Sequence, residues 1–174
     1  MKKTIPNDIL QRLLLAKELL RKGEASCSIP NDALSFSIGI VLFHDACEAT
    51  LSAVASSVNA KTKQNTYLKD YFDLIEEADK DKGKRKIEYR YQIQITLNTL
   101  RNNVKHNGIL VYSKHNSVMP ATVKEFLLSI CSKFFDCDFL TLSNCDLIRD
   151  EKARKLMLLA EDKIANCDYK QALE

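Results

Sequence analysis

Arg101-Asn102-Asn103-Val104-Lys105-His106, followed at once by Asn107-Gly108, brings a permanent cation and a titratable imidazole together. Cleaving an RNA phosphodiester without metal needs three services. One group accepts the ribose 2′-OH proton, one stabilises charge on the phosphorane, and one protonates the leaving 5′-oxygen. Histidine can act as base or acid because its reference pKa, about 6.5, lies near neutrality. Arginine stays protonated and offers a planar fork of donors that suits phosphate oxygens. Positioned donors of this kind usually contribute the larger share of catalysis. Asn102, four residues before His106, can orient the ring or bind phosphate. The same composition also makes an ordinary helix end, since cations are favourable at a helix C-terminus and glycine stops it.

Helix geometry restricts the chemistry. Five steps of about 100° leave Arg101 and His106 roughly 140° apart around an ideal helix, so they share a face only if the helix ends between them. Asn107-Gly108 predicts such an ending. The C-terminus is also the negative end of the helix dipole and disfavours anions. A phosphate site there needs further positive charge, from Lys105 or from a second copy of the motif. One histidine for two proton-transfer roles points the same way, towards two motifs facing each other in a dimer.

The elements that carry these residues read as helical nearly throughout. A first helix is predicted over Asn7 to Lys22, with Ile9, Leu13, Ala16 and Leu20 inward and Gly23 as its stop. Glu24 to Asn31 reads as a loop, with Asn31 or Asp32 as the cap of a long second helix reaching Val58. Its stripe is Phe36, Ile40, Phe43, Cys47, Leu51 and Val54, with Leu34, Ile38, Val41 and Leu42 widening the apolar surface. A helix apolar on several sides belongs at the centre of a bundle. A shorter helix follows over Tyr67 to Ala78, turning Leu68, Tyr71, Phe72 and Ile75 inward. The fourth runs from Arg85 to His106 on the stripe Ile93, Leu97, Leu100 and Val104. Its β-branched residues make a strand over Tyr89 to Thr96 the competing reading, and the continuous stripe favours helix. A fifth covers Pro120 to Phe135, burying Val123, Phe126, Leu127, Ile130 and Phe134. Asp150 caps a last helix through Ala165, and Asp168 to Glu174 opens another that stops before a second turn. The expected organisation is an all-α bundle of five to six helices over residues 1–145 and a helical extension over 146–174. The unfinished turn suggests continuation past Glu174, or a tail that docks on a partner.

With 45% hydrophobic and 28% charged residues, the chain has the composition of a globular domain rather than a disordered one. Its net charge is +3, and the run Asp79 to Lys86 accounts for all of it, with five cations and two anions. A near-neutral remainder excludes a broadly basic protein that coats nucleic acid. That run reads first as a solvated linker, with charge steering of RNA as its alternative use. Cys27, Cys47, Cys131, Cys137, Cys145 and Cys167 form no CxxC pair and no zinc spacing, and several sit in apolar runs as small hydrophobes. No signal peptide follows Met1, and the apolar run Ile38 to Phe43 is too short to cross a bilayer. The expectation is a reduced, cytoplasmic protein without membrane association, cofactor or bound metal.

On Arg101 and His106 with four residues between them, and on Asn102 after the arginine, the chain resembles the HEPN domain family. The motif of that family is arginine, four to six residues, then histidine, at the end of a late helix in a bundle. Phe43-His44-Asp45-Ala46-Cys47-Glu48 resembles the family's earlier helix, which often carries an acidic residue near the site. The resemblance covers roughly residues 8–140. It implies a metal-independent endoribonuclease acting as a homodimer, leaving 2′,3′-cyclic phosphate and 5′-OH ends, often in toxin–antitoxin or antiviral (abortive infection) systems. Some members instead lack activity and serve as interaction or nucleotide-binding modules. Carried over, Arg101 stabilises the scissile phosphate and His106 is the general base or acid, with Asn102, Lys105 and Glu48 accessory. RNA is then the substrate, and an antitoxin or a further domain beyond Glu174 the implied partner. His44, four residues before Glu48, can form a local hydrogen bond with it. His115 falls in the polar loop Ser113-Lys114-His115-Asn116-Ser117, where exposure to solvent is expected.

Overall fold

A computed structural model describes residues 5–80, 85–148 and 150–166. Among them there is no strand, and the protein is an all-α bundle. Cys167, the helix opening at Asp168 and residues 81–84 of the basic run lie outside the described residues. The chain divides into two compact units, Met1–Leu140 and Thr141–Glu174, a boundary slightly earlier than the expected one.

In the first unit, α1 (Asn7–Cys27) and α2 (Ala33–Ser57) form a long antiparallel pair. Asp32 caps α2 by accepting from the Ser35 amide at 3.0 Å. The predicted stripes of both helices are buried, and α2 lies at the centre, touching α1, α3, α4 and α6. Leu34 and Ile38 depart from expectation by facing solvent. By length and mean hydropathy (1.4 over its most apolar stretch) α2 is also long and apolar enough to cross a membrane. The central helix of a bundle has the same character, and 61% of that stretch is buried.

Gly23 does not stop α1, which continues to Cys27. A Cβ at Gly23 would lie 2.5 Å from Cε1 of the fully buried Phe43, and one at Gly39 would lie 2.3 Å from Cys27 Sγ and 2.9 Å from the Gly23 carbonyl oxygen. The two glycines let the helix backbones approach closely, so Gly23 serves a helix contact rather than a turn.

α3 (Leu68–Ala78) buries Leu68, Tyr71, Phe72 and Ile75 as predicted. The helix expected from Arg85 starts instead at Arg90, after Tyr89 in the left-handed region at φ 57°. Residues 85–88 are committed elsewhere: Arg85 pairs with the buried Asp79, and Lys133 binds the Lys86 carbonyl and the Glu88 carboxylate. Lys133 and Ser129 hold that carboxyl below its usual range. From Gln92 to Leu97 the helix is a π-helix, then continues without a break as α4 (Asn98–Asn107). Helix therefore prevails over strand across the β-branched residues. Ile93 and Leu97 are buried, whereas Leu100 and Val104 are only half-buried, because the wider π turn shifts the stripe. α5 is a single turn, Ser113–Asn116, and leaves His115 exposed. α6 (Met119–Phe135) buries every residue of its predicted stripe.

In the second unit, a 3-10 turn over Asn144–Leu147 is closed by a reciprocal Ser143–Asp146 cap. α7 (Glu151–Ala165) is capped by Asp150 as predicted. Ser143 Oγ donates to Glu161 at 2.5 Å, tying the turn to the helix. Leu156, Met157, Leu159 and Ile164 of α7 are exposed.

Candidate active site

The Arg101 guanidinium reaches the His106 ring, with Nη1 3.0 Å from Nε2. The helix does not end between them, as the spacing required, but runs through Asn107 to a left-handed Gly108 at φ 65°. The long arginine side chain spans the angular gap along the helix surface instead. A guanidinium has only donors, so Nε2 is the acceptor and a neutral His106 carries its proton on Nδ1. Nη1 also donates to Asn102 Oδ1 at 3.1 Å, so Asn102 orients the arginine rather than the imidazole. Arg101 Nε is buried and has no hydrogen-bond partner. A cationic donor without an acceptor is costly unless a ligand completes it.

These groups line a cleft of about 600 Å³. One wall is the α4 row Asn98, Asn102 and His106, spaced four residues apart, together with Arg101. His44 and Glu48 of α2 form the floor. His44 is only 3% exposed. Its Nδ1 lies 3.4 Å from Asp45 and 3.8 Å from Glu48, and its Nε2 lies 3.3 Å from Asn98 Oδ1. Glu48 thus lines the cleft itself and also approaches His44. A further wall is the chain from Gln64 to Lys69, where α3 begins.

No side chain caps the first turn of α3, and its opening residues Leu68 and Lys69 face the cleft. The positive end of the α3 dipole therefore contributes to the same lining as Arg101 and His106. Gln94, inside the π turn, donates to the Lys69 carbonyl at 2.7 Å, and Arg90 binds Glu76 at 2.8 Å and also Asp73. The irregular turn thereby fixes α3 beside α4. Lys105, expected to supply the extra charge, is exposed and outside the lining of the cleft. It sits about 100° around the helix from His106, off the row that faces inward.

The comparisons leave the residues to speak for themselves: no family model, no curated protein and no solved structure matches the chain.

Of the residues singled out in the sequence, Arg101, Asn102, His106 and Glu48 line the cleft; Asn98, Tyr67 and Lys69 line it as well and were not singled out. Asn98 carried a signal, because it precedes Asn102 and His106 in one four-residue row. Tyr67 and Lys69 carried none, since only tertiary packing sets α3 against α4. Among the described residues no cluster of His, Cys, Asp or Glu forms a metal-ligand set. Cys27, Cys47, Cys131 and Cys145 form no disulfide. Burial pushes Cys27 up to about 11 and raises Cys47 further, and Cys131 is raised by its hydrogen bond with Cys137 and by burial. None of these three has the depressed pKa of a nucleophile.

Proposed function

We propose that this protein is a HEPN-type, metal-independent endoribonuclease in which Arg101 and His106 form a half-site. The observation that carries the reading is the 3.0 Å contact between Arg101 Nη1 and His106 Nε2, with both residues lining one cleft. An entering phosphate offers the guanidinium an anionic acceptor. Arg101 then turns its fork to the phosphate oxygens and releases the Nε2 lone pair. Nε2 takes the 2′-OH proton, the 2′-oxygen bonds to phosphorus, and the P–O5′ bond breaks with a proton delivered to O5′. The products are a 2′,3′-cyclic phosphate and a 5′-OH. Arg101 carries the phosphorane charge, with Lys69 and the start of α3 adding positive potential. His44 is enclosed by Asp45, Glu48 and Asn98 and serves to position α4.

The second proton transfer falls to the His106 of a second copy, which makes the working form a homodimer. Exposed apolar residues next to the motif favour this. Ile109, Leu110 and Tyr112 follow the end of α4, and the loop they occupy is fixed to α2 by the Val111 amide donating to Ser37 Oγ at 2.8 Å. The exposed Leu34 and Ile38 flank Ser37 on α2. A toxin or antiviral role in the cytoplasm is the biological setting that fits such an activity. The exposed apolar side chains of α7 favour a second reading, a noncatalytic interaction module.

Incubating the full chain with single-stranded and structured RNA in chelator decides between these readings. The ribonuclease reading expects cleavage that His106→Ala and Arg101→Ala abolish while leaving the helical circular dichroism unchanged. Equal cleavage by wild type and His106→Ala would defeat it.

A further inference from the structure

The cleft is larger than a phosphate needs. At about 600 Å³ it falls within the range of pockets that take a whole small molecule. The wall from Gln64 to Lys69 also differs in chemistry from the Arg101–His106 pair, offering an aromatic ring and side-chain amides. We infer that this wall is a subsite for one unstacked base of single-stranded RNA, stacked on Tyr67 with its edge towards Gln64 and Asn65. The inference rests on the ribonuclease reading for the neighbouring phosphate but stands on separate residues.

Tyr67 is 66% exposed, yet its backbone is firmly held. Its carbonyl accepts from the Asp70 amide at 2.9 Å, and the next residue, Leu68, is buried in the core. The exposed Tyr67 thus lines the cleft on a backbone fixed at a helix start. Thr66 Oγ1 accepts from the Lys63 amide at 2.8 Å and donates to the Lys63 carbonyl at 2.9 Å, which closes the turn that carries Gln64 and Asn65. A side-chain amide offers both a donor and an acceptor, the pattern that base edges require. Lys69 follows on the same wall and brings a cation suited to a flanking phosphate. A base inside a duplex cannot reach a side wall of this kind, whereas an unpaired one can be splayed out and stacked.

The test measures binding, so that cleavage is not needed. Full-length His106→Ala protein, which cannot cut the probe, is titrated with a fluorescent single-stranded oligoribonucleotide. Unlabelled nucleoside 3′-monophosphate and ribose 3-phosphate then compete for it. Adding Tyr67→Ala should weaken binding about ten-fold or more, and adding Tyr67→Phe should change it less than about two-fold. The nucleotide should compete better than the sugar phosphate, and Tyr67→Ala should erase that advantage. Unchanged binding by Tyr67→Ala, or equal competition by the two small ligands, overturns the subsite. His106-dependent cleavage with Tyr67 indifferent would sink the subsite alone. Tyr67-dependent base preference in a wild-type protein that never cuts RNA would sink the ribonuclease reading alone. No binding of either probe removes both.

Discussion

Replacing Gly39 by alanine tests whether the α1–α2 contact has been read correctly, because two known effects act in opposite directions. In an unconstrained helix interior Gly→Ala stabilises by about 1 kcal/mol. Here the added methyl carbon would stand 2.3 Å from Cys27 Sγ, 2.9 Å from the Gly23 carbonyl oxygen and 3.5 Å from the Cys27 amide nitrogen. The thiol can rotate away, but the carbonyl belongs to the α1 backbone and moves only if the helices separate. Overpacking of this kind costs roughly 1–3 kcal/mol. The net expectation is a loss of up to about 2 kcal/mol, with the clash exceeding the helical gain. Combining Gly39→Ala with Cys27→Ala removes the sulfur clash and should recover part of the loss. Gly23→Ala meets the buried Phe43 ring at 2.5 and 2.7 Å and should destabilise as well. Urea titration followed by circular dichroism reports the midpoint, and an unchanged slope shows that the compactness of the two states is the same. If both glycine variants raise the midpoint, the close helix contact is wrong.

Three further outcomes follow from the same geometry. Arg101→Lys keeps the charge but loses the planar guanidinium whose Nη1 meets both His106 and Asn102, so RNA cleavage should fall at least about 100-fold with little change in stability; cleavage within a few-fold of wild type would contradict a role for the guanidinium beyond its charge. Because His44 Nδ1 has Asp45 and Glu48 as alternative acceptors, each single alanine variant should cost less than about 1 kcal/mol. The double variant should exceed the sum of the two in urea titration, whereas simple additivity would show that the two acids do not share the ring. Cys27, held up to about 11, should react with N-ethylmaleimide at pH 8 about 100-fold more slowly than in the unfolded chain, as read by intact mass. Its raised folded pKa favours the protonated thiol, so this contribution to stability is intact below the unfolded thiol's range and is lost as pH rises through about 11.

Much of the bundle was legible because burial follows helical period. The inward sets of α1, α3 and α6, and the stripe of α2 from Phe36 to Val54, were readable directly as side chains returning to one face. What resisted reading were residues with two meanings. Gly23 signals a helix stop and a close helix contact equally well, and only Phe43 across the interface distinguishes them. The β-branched run near Ile93 admitted strand or helix, but nothing local announced the π turn that shifts the face of α4. Ideal angles separated Arg101 from His106, whereas a long side chain on a straight helix brings them together. Lys69 and Tyr67 come from a segment remote in sequence, and their approach to α4 depends on Gln94 and Arg90 anchoring α3.

The central claim concerns what the Arg101–His106 pair does to a phosphodiester, and the ends of the cut RNA report that most directly. Full-length protein is incubated with a single-stranded RNA in excess chelator, and the fragments are identified by mass. The account predicts a 2′,3′-cyclic phosphate on the upstream fragment and a 5′-OH on the downstream one, both absent with His106→Ala. Fragments bearing 3′-OH and 5′-phosphate ends, or the same products from His106→Ala, would contradict it.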